Sequence, residues 1–418
     1  ESTSESQMSG KWPGGFIKKT VPTVVGPVNG EGGSASGIWT LDQVADYESQ
    51  GLWPKPVTPK ELYAWGQNNR GQLGLGDVTQ RNSPVQVGAL TTWGIQISGG
   101  HRHSLAVTGD GKLYAWGYNY YGQLGTNNTT SYSSPVQVGA LTDWLQASAG
   151  RYQSLAVKTD GTLWSWGRNN EGQLGLGDVT QRNSPVQVGA LTTWAQVNSS
   201  QATGAVKTDG TLWTWGSGNS GRTGHGNTTD YSSPVQVGAL TNWALVRGGW
   251  KYMHGITTDG KLYAWGYNSN GQLGTNNTTT YSSPIQVGNL TNWSKVAPAS
   301  PAIGYNTLAT TTDGKLYAWG WNSQGQLGDG TTTQRNSPVQ VGALTTWDEV
   351  FAGSNSTANT SSGATKTDGT LWTWGYNTNG QLGHNNTTSY SSPVQVGTLT
   401  TWIAASMGDA YTLAVKTS

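Results

Sequence analysis

The chain has 418 residues, with 23 Lys+Arg against 22 Asp+Glu and only 11% charged residues. A net charge of +1 gives no electrostatic basis for binding nucleic acid, an anionic membrane or a polyanionic substrate. The lack of cysteine excludes disulfides, thiolate metal sites and cysteine nucleophiles. Gly is 61, Trp 22 and Tyr 18 against Phe 2, a composition that suits β-structure with many tight turns. No apolar run approaches the ~20 residues of a membrane span. The opening ESTSESQMSG is polar and lacks the apolar core of a secretion signal.

Residues 1–57 do not repeat and are read as an N-terminal arm. Positions 1–36 are rich in Gly, Ser, Pro and Thr and are expected to be extended. In SGIWTLDQVADYESQGLWPKP (36–56), Thr40 with Gln43 fits a capping box, Asp42 suits a helix N-terminus, and Gly51 with Pro54 stops it. This predicts one short helix at about 41–50, with Trp39, Leu41, Val44, Tyr47, Leu52 and Trp53 forming an anchor surface.

From 58 to 418 the chain repeats. A Trp-Gly marker falls at Trp65, Trp116, Trp166, Trp215, Trp265, Trp319 and Trp374. A second tryptophan follows at Trp93, Trp144, Trp194, Trp243, Trp293, Trp347 and Trp402. GQLGLGDVTQRNSPVQVGALTTW occurs unchanged at 71–93 and 172–194. The unit beginning at Gly150 reads as four short strands. SLAVKT leads through the hairpin signal Asp160-Gly161 into TLWSWG. A Gly-rich loop follows, then a strand opened by Pro185, and LTTW leads into AQVNS of the next unit. Four antiparallel strands repeated seven times predict an all-β, seven-bladed β-propeller. The terminal YTLAVKTS (411–418) lacks the strands that KELYAWG (60–66) begins. One blade is therefore expected to take two inner strands from the C-terminus and two outer strands from the start of the repeat region, closing the ring without open edges.

LYAWGYNSNGQLG (262–274) followed by SSPIQV (282–287), and HSLAVTGDGKLYAWG (103–117), resemble the repeat of the regulator of chromosome condensation family, over about 58–418. That family includes a chromatin-bound guanine nucleotide exchange factor and secreted bacterial inhibitors of β-lactamase, so the fold does not fix the function. The exchange factor's wedge insertion and basic tail have no counterpart in this sequence. The segment G-x-W-T-L … G-L-W-P, in contrast, resembles one found in structural proteins of marine tailed phages, and implies a virion protein.

The resemblance also implies that the strands flanking each varied stretch are the two innermost of a blade. The connections GGHRHS (99–104), AGRYQS (149–154), SSQATG (199–204), GGWKYMHG (248–255), APASPAIGYN (297–306), AGSNSTANTSSG (352–363) and MGDAYT (407–412) should then ring one mouth of a central channel. The NxxGQLG loops share that face, and the TDG turns lie on the opposite one. His101, Arg102, His103, Arg151, Tyr152, Gln153, Trp250, Lys251, Tyr252, Tyr305 and Tyr411 are the candidate recognition residues. They are rich in the Tyr, Trp and Arg that dominate binding hot spots.

The repeated Asp-Gly pairs read as turn chemistry. No nucleophile–base set or P-loop stands out. His101 and His103 fit one side of a strand with no carboxylate or third ligand beside them, so no metal and no cofactor is expected. The sequence thus leads to a non-enzymatic tailed-phage virion protein. Its arm would bind other virion proteins, and its loops a host surface protein or glycan. It would be exposed on the virion and reach no nucleic acid or membrane. Assembly as a homo-oligomer is left open. The alternatives are a secreted binding protein of the β-lactamase-inhibitor kind and, third, a cellular adaptor or exchange factor.

Overall fold

The structure is a computed structural model, and it describes residues 58–355 and 359–418. The expected helix at about 41–50 and the anchor residues Trp39 to Trp53 lie outside the described residues. The described chain forms seven four-stranded antiparallel sheets. Among the described residues there is no α-helix, and one 3-10 turn spans Asn219–Gly221.

Blade 1 runs through Trp93–Gly99, His103–Thr108, Leu113–Gly117 and Tyr132–Gln137, and five further blades repeat that order. Blade 7 is composite: Trp402–Met407 and Tyr411–Thr417 inside, Lys60–Gly66 and Arg81–Gln86 outside. The expected closure is what the fold shows. Leu62 pairs with Val415 and Ala64 with Leu413 across it. Lys416 adds a 2.8 Å ion pair to Glu61.

The two outer strands form where expected but do not alternate in burial: Leu163–Gly167 is almost wholly buried between blades and Arg182–Gln187 is half-buried throughout. The strand predicted to open at Pro185 begins earlier and spans Arg182–Gln187. Pro185 lies where the pairing to the third strand shifts register, between Arg182 and Val186. A residue without an N–H is tolerated there because the ladder is already broken.

The Trp-Gly tryptophans are fully buried between blades. Each indole N–H donates to a loop carbonyl of the preceding blade: Trp116 to Gln72 O at 2.9 Å, Trp166 to Gln123 O at 2.9 Å, and Trp65 to Gln381 O at 3.0 Å around the closure. The GQLG loop of one blade is thereby clamped onto the next. The second tryptophans, such as Trp93 and Trp144, pack edge-on or tilted against these rings at about 6 Å.

The seven inner strands surround an axial channel of about 500 Å³. Their channel-side edges are not left bare. Ala149 N donates to Ser98 Oγ (2.9 Å), Ser199 N to Ser148 Oγ (2.8 Å), Gly248 N to Asn198 Oδ1 (2.6 Å) and Gly99 N to Ser406 Oγ (3.0 Å), each acceptor coming from the preceding blade. Side chains thus satisfy backbone donors that a central strand would give to a neighbour.

Candidate recognition face

The inner connections and the NxxGQLG loops open on one face. Tyr118 N donates to Arg102 O (2.8 Å), Arg168 N to Tyr152 O (2.9 Å) and Tyr267 N to Lys251 O (2.9 Å), tying the two loops of each blade together. The TDG turns meet the ALTTW bends on the other face, where Gly109 N donates to Thr92 O at 2.8 Å.

The varied residues split into two groups. His103, Gln153, Tyr252 and Tyr411 are buried, and they do not face outward as expected. All four occupy one register, each opposite the Gly of a Trp-Gly pair: Gly117, Gly167, Gly266 and Gly66. At that register the pleat sends the side chain into the seam between blades. His103 Nε2 lies 3.0 Å from Ser154 Oγ. Gln153 Nε2 donates to Ser200 O. Tyr252 OH donates to Asn306 O at 2.7 Å, and Tyr411 OH to His103 O at 2.7 Å. These side chains are plugs fitted to the adjoining blade.

His101 is also buried, and it has company that the sequence reading did not supply. Asp409 Oδ2 lies 3.1 Å from its Nε2 and 3.6 Å from Arg102 Nε. Burial pushes the Asp409 carboxyl up to about 7, against the pull of Arg102 and Arg151. Burial, with the charges of Arg102 and Arg151, holds the His101 imidazole down to about 3. Asp409 comes from the last connection and is the one acidic residue in the seven. Ring closure brings it beside blade 1, and that lone acid among cationic loops was the available signal.

Arg102, Arg151, Tyr152, Trp250, Lys251 and Tyr305 remain at least partly exposed. The structure joins them to residues that the sequence reading passed over. Arg70 stands 5.4 Å from the Tyr118 ring, and Tyr118 stacks on Tyr120 with planes 9° apart. Tyr120 meets Tyr121, and Tyr121 meets Tyr152, with centroids 5.0 Å apart in both pairs. Arg168 lies 5.5 Å from Tyr121 and 5.6 Å from Tyr152, and Arg151 lies 5.4 Å from Tyr152. A second cluster places Lys251 4.1 Å above Trp250, with Tyr305 against Trp250 (5.5 Å) and Tyr267 (5.8 Å). Burial and the neighbouring Arg222 hold the Lys251 amine below its ordinary value. The missed residues Tyr118, Arg168 and Tyr267 follow the Trp-Gly marker directly. That position varies from unit to unit just as the connections do.

Among the described residues no three His, Asp or Glu side chains converge as a metal site, and no helix is long and apolar enough to cross a membrane.

The chain belongs to the regulator of chromosome condensation (RCC1) repeat family. The repeat matches at 61–107, 110–157, 160–203, 209–253, 259–299, 313–358 and 368–415. Among curated relatives, the Ultraviolet-B receptor UVR8 of Arabidopsis thaliana is 40% identical over 79 residues, which is 19% of this chain and 18% of the relative. The X-linked retinitis pigmentosa GTPase regulator of Homo sapiens is 41% identical over 88 residues (20% and 9%), and Protein RCC2 of Mus musculus is 39% identical over 84 residues (20% and 16%). The matches thus span less than a fifth of each relative's own length. Human WBSCR16 superposes with a TM-score of 0.75 at 19% identity, covering 86% of this chain and 99% of its own. Yeast RCC1 (Prp20), solved bound to Kap60, gives 0.75 at 20%, covering 96% and 97%. Prp20p of Saccharomyces cerevisiae, described with its binding properties to Gsp1p and histones, gives 0.73 at 19%, covering 87% and 92%. At these identities the solved structures establish the fold alone.

Proposed function

We propose that the protein is a non-enzymatic, protein-binding adaptor that captures its partner on the loop face. The observation that carries this reading is the unbroken strip from Arg70 through Tyr118, Tyr120, Tyr121 and Tyr152 to Arg168. Rigid aromatic rings interleaved with guanidinium groups bury large area at small entropic cost, the composition of interface hot spots. The strip stands on loops tied by backbone hydrogen bonds to a closed ring, so little ordering remains to be done on binding. Yeast Prp20, a structural neighbour, is itself described in complex with or binding other proteins, which supports the same reading here.

The virion reading rests on residues 36–56, outside the described region, and the cellular relatives lend it no support, so the adaptor reading leads. The test is affinity capture from the native source with the full chain and with a Tyr121→Ala/Tyr152→Ala variant. Proteins retained by the parent and lost from an equally stable variant are expected. An identical set on both would overturn the assignment to this face.

A further inference from the structure

Seven side chains occupy one level of the axial channel, each at the same register of its inner strand. Ser98 stands opposite Leu105, Ser148 opposite Leu155, Asn198 opposite Gly204, Arg247 opposite His254 and Ser406 opposite Leu413. Ala297 and Phe351 complete the level on the other side, and all seven line the channel. Five contiguous blades therefore place polar groups at this level; Ala297 and Phe351 are buried, and Phe351 packs between blades with Trp65 and Trp402.

The polar groups share one property. Ser98, Ser148, Asn198 and Ser406 each use an oxygen to accept from the backbone of the next blade. The hydrogens left over, three hydroxyl protons and an amide group, donate to no protein acceptor among the described residues. Arg247 adds five N–H donors in a planar fork. Among the described residues its side chain makes one hydrogen bond, back to Val246 O of its own strand at 3.1 Å, and Glu349 acts on it through charge without an ion-pair contact. Among the described residues the lining has one carboxylate, Glu349, and it is engaged by Lys295 at 2.5 Å. The lining thus holds two cations, one carboxylate and four polar side chains whose oxygens each already accept one backbone hydrogen bond, leaving their hydrogens available to donate.

We infer that this level is an oxyanion-binding site. It would take a small phosphate- or carboxylate-bearing molecule whose oxygens meet Arg247 and the donors of Ser98, Ser148, Asn198 and Ser406. The chemistry fits in sign, in hydrogen-bond role and in size. Guanidinium pairs with planar carboxylates and with phosphate bidentately. Ser98, Asn198, Arg247 and Ser406 are partly exposed to the channel, so their donors are open to a bound acceptor. The channel's volume of about 500 Å³ lies within the range of small-molecule sites. Burial also disfavours the charge on Arg247, with Glu349 offsetting it only in part. A bound anion would remove that penalty.

The full chain is titrated with inorganic phosphate and with citrate at constant ionic strength, against chloride, by calorimetry and thermal melting. A saturable heat with a melting shift of roughly 2–4 °C is expected. Phosphate acting alone points to an inorganic or phosphoryl ligand, and citrate acting more strongly to a polycarboxylate. Arg247→Met removes the charge. Asn198→Asp keeps the acceptor for Gly248 N while replacing the donor by a negative oxygen. Both variants should weaken anion binding at least tenfold, and Arg182→Ala on an outer strand should leave it unchanged. No response beyond chloride in the parent, or an undiminished response in both channel variants, overturns the site.

Discussion

The ammonium of Lys207 lies 3.7 Å above the ring of Trp213 and 5.2 Å from that of Trp194. The same sandwich recurs at Lys158 between Trp164 and Trp144, and at Lys366 between Trp372 and Trp347. In each case the third-strand indole N–H donates to a turn threonine: Thr162, Thr211 or Thr370. Three other blades carry a different set. Thr108, Thr257 and Thr311 replace the lysine, Tyr114, Tyr263 and Tyr317 replace the outer tryptophan, and the lysine moves into the turn to pair with its Asp at 2.6–2.7 Å. In these six blades the three positions switch together, the Lys being covered by two rings and a Thr at that point instead capping the turn, whereas in blade 7 Lys416 lies 5.4 Å from Tyr63 and pairs with Glu61.

A single Lys207→Thr exchange should therefore cost about 1–2 kcal/mol, as a desolvated cation–π contact is lost. Adding Thr211→Lys and Trp213→Tyr converts blade 3 to the other set and should recover most of that loss. Melting temperatures of the single, double and triple variants measure the coupling. Additive losses across the three positions would show that they are independent.

The second glycine of the GQLG loop predicts a sharper effect. Gly74 has φ of +75°, and a Cβ there would lie 2.8 Å from Trp116 Nε1. Gly88 has φ of +61° with open space where its Cβ would be. Gly88→Ala should cost only the left-handed backbone penalty, about 1 kcal/mol. Gly74→Ala must in addition displace the indole that clamps blade 7 to blade 1, and should cost ~3 kcal/mol or more. Equal losses in the two variants would remove the steric part of this account.

The seven-fold repeat, the strand order and the shared blade were all legible in the sequence, because each rests on local signals: alternation, Asp-Gly turns and paired tryptophans. The split among the varied residues was not. Tyr152 and Gln153 are adjacent, yet Tyr152 lies in the connection and is partly exposed, while Gln153 opens the strand and plugs a seam. Reading which is which requires the register to the Trp-Gly glycine, not composition. Asp409 was missed for a different reason. Its partner His101 lies at the far end of the propeller sequence, and only ring closure makes them neighbours.

That split predicts opposite phenotypes. Tyr252 OH donates to Asn306 O at 2.7 Å and accepts from Ala299 N at 3.2 Å in full burial. Ala299 N also donates to Asn306 O at 2.9 Å, so Tyr252→Phe takes the hydroxyl away without stranding either group and should cost about 1 kcal/mol. Arg168→Ala, on the exposed strip, should stay within ~0.5 kcal/mol while weakening partner capture. Urea denaturation of the two variants decides the matter. An Arg168 loss as large as the Tyr252 loss would mean that the strip is part of the packing.

His254 is a further mismatch between residue and place. It is fully buried between the rings of Tyr252 (5.6 Å) and Trp319 (5.7 Å), and neither of its nitrogens meets a partner at hydrogen-bond geometry. Four blades place leucine at the same register: Leu105, Leu155, Leu308 and Leu413. Burial holds the His254 imidazole down to about 3, outweighing a favourable backbone contact at Leu273. Between its unfolded value near 6.5 and about 3, the unfolded chain binds a proton that the folded chain refuses. The stability from neutral His254 is thus complete above pH ~6.5 and drains away as the pH falls. His103, buried and likewise held to about 3, acts in the same direction. His254→Leu should raise stability by about 1–2 kcal/mol at pH 7.5 by removing the orphaned polar ring. It should also shrink, without abolishing, the drop in melting temperature between pH 7.5 and 4.5. Melting curves at the two pH values test both statements. A variant less stable than the parent at pH 7.5, or one with an undiminished acid slope, would show that the imidazole is satisfied and titrates elsewhere.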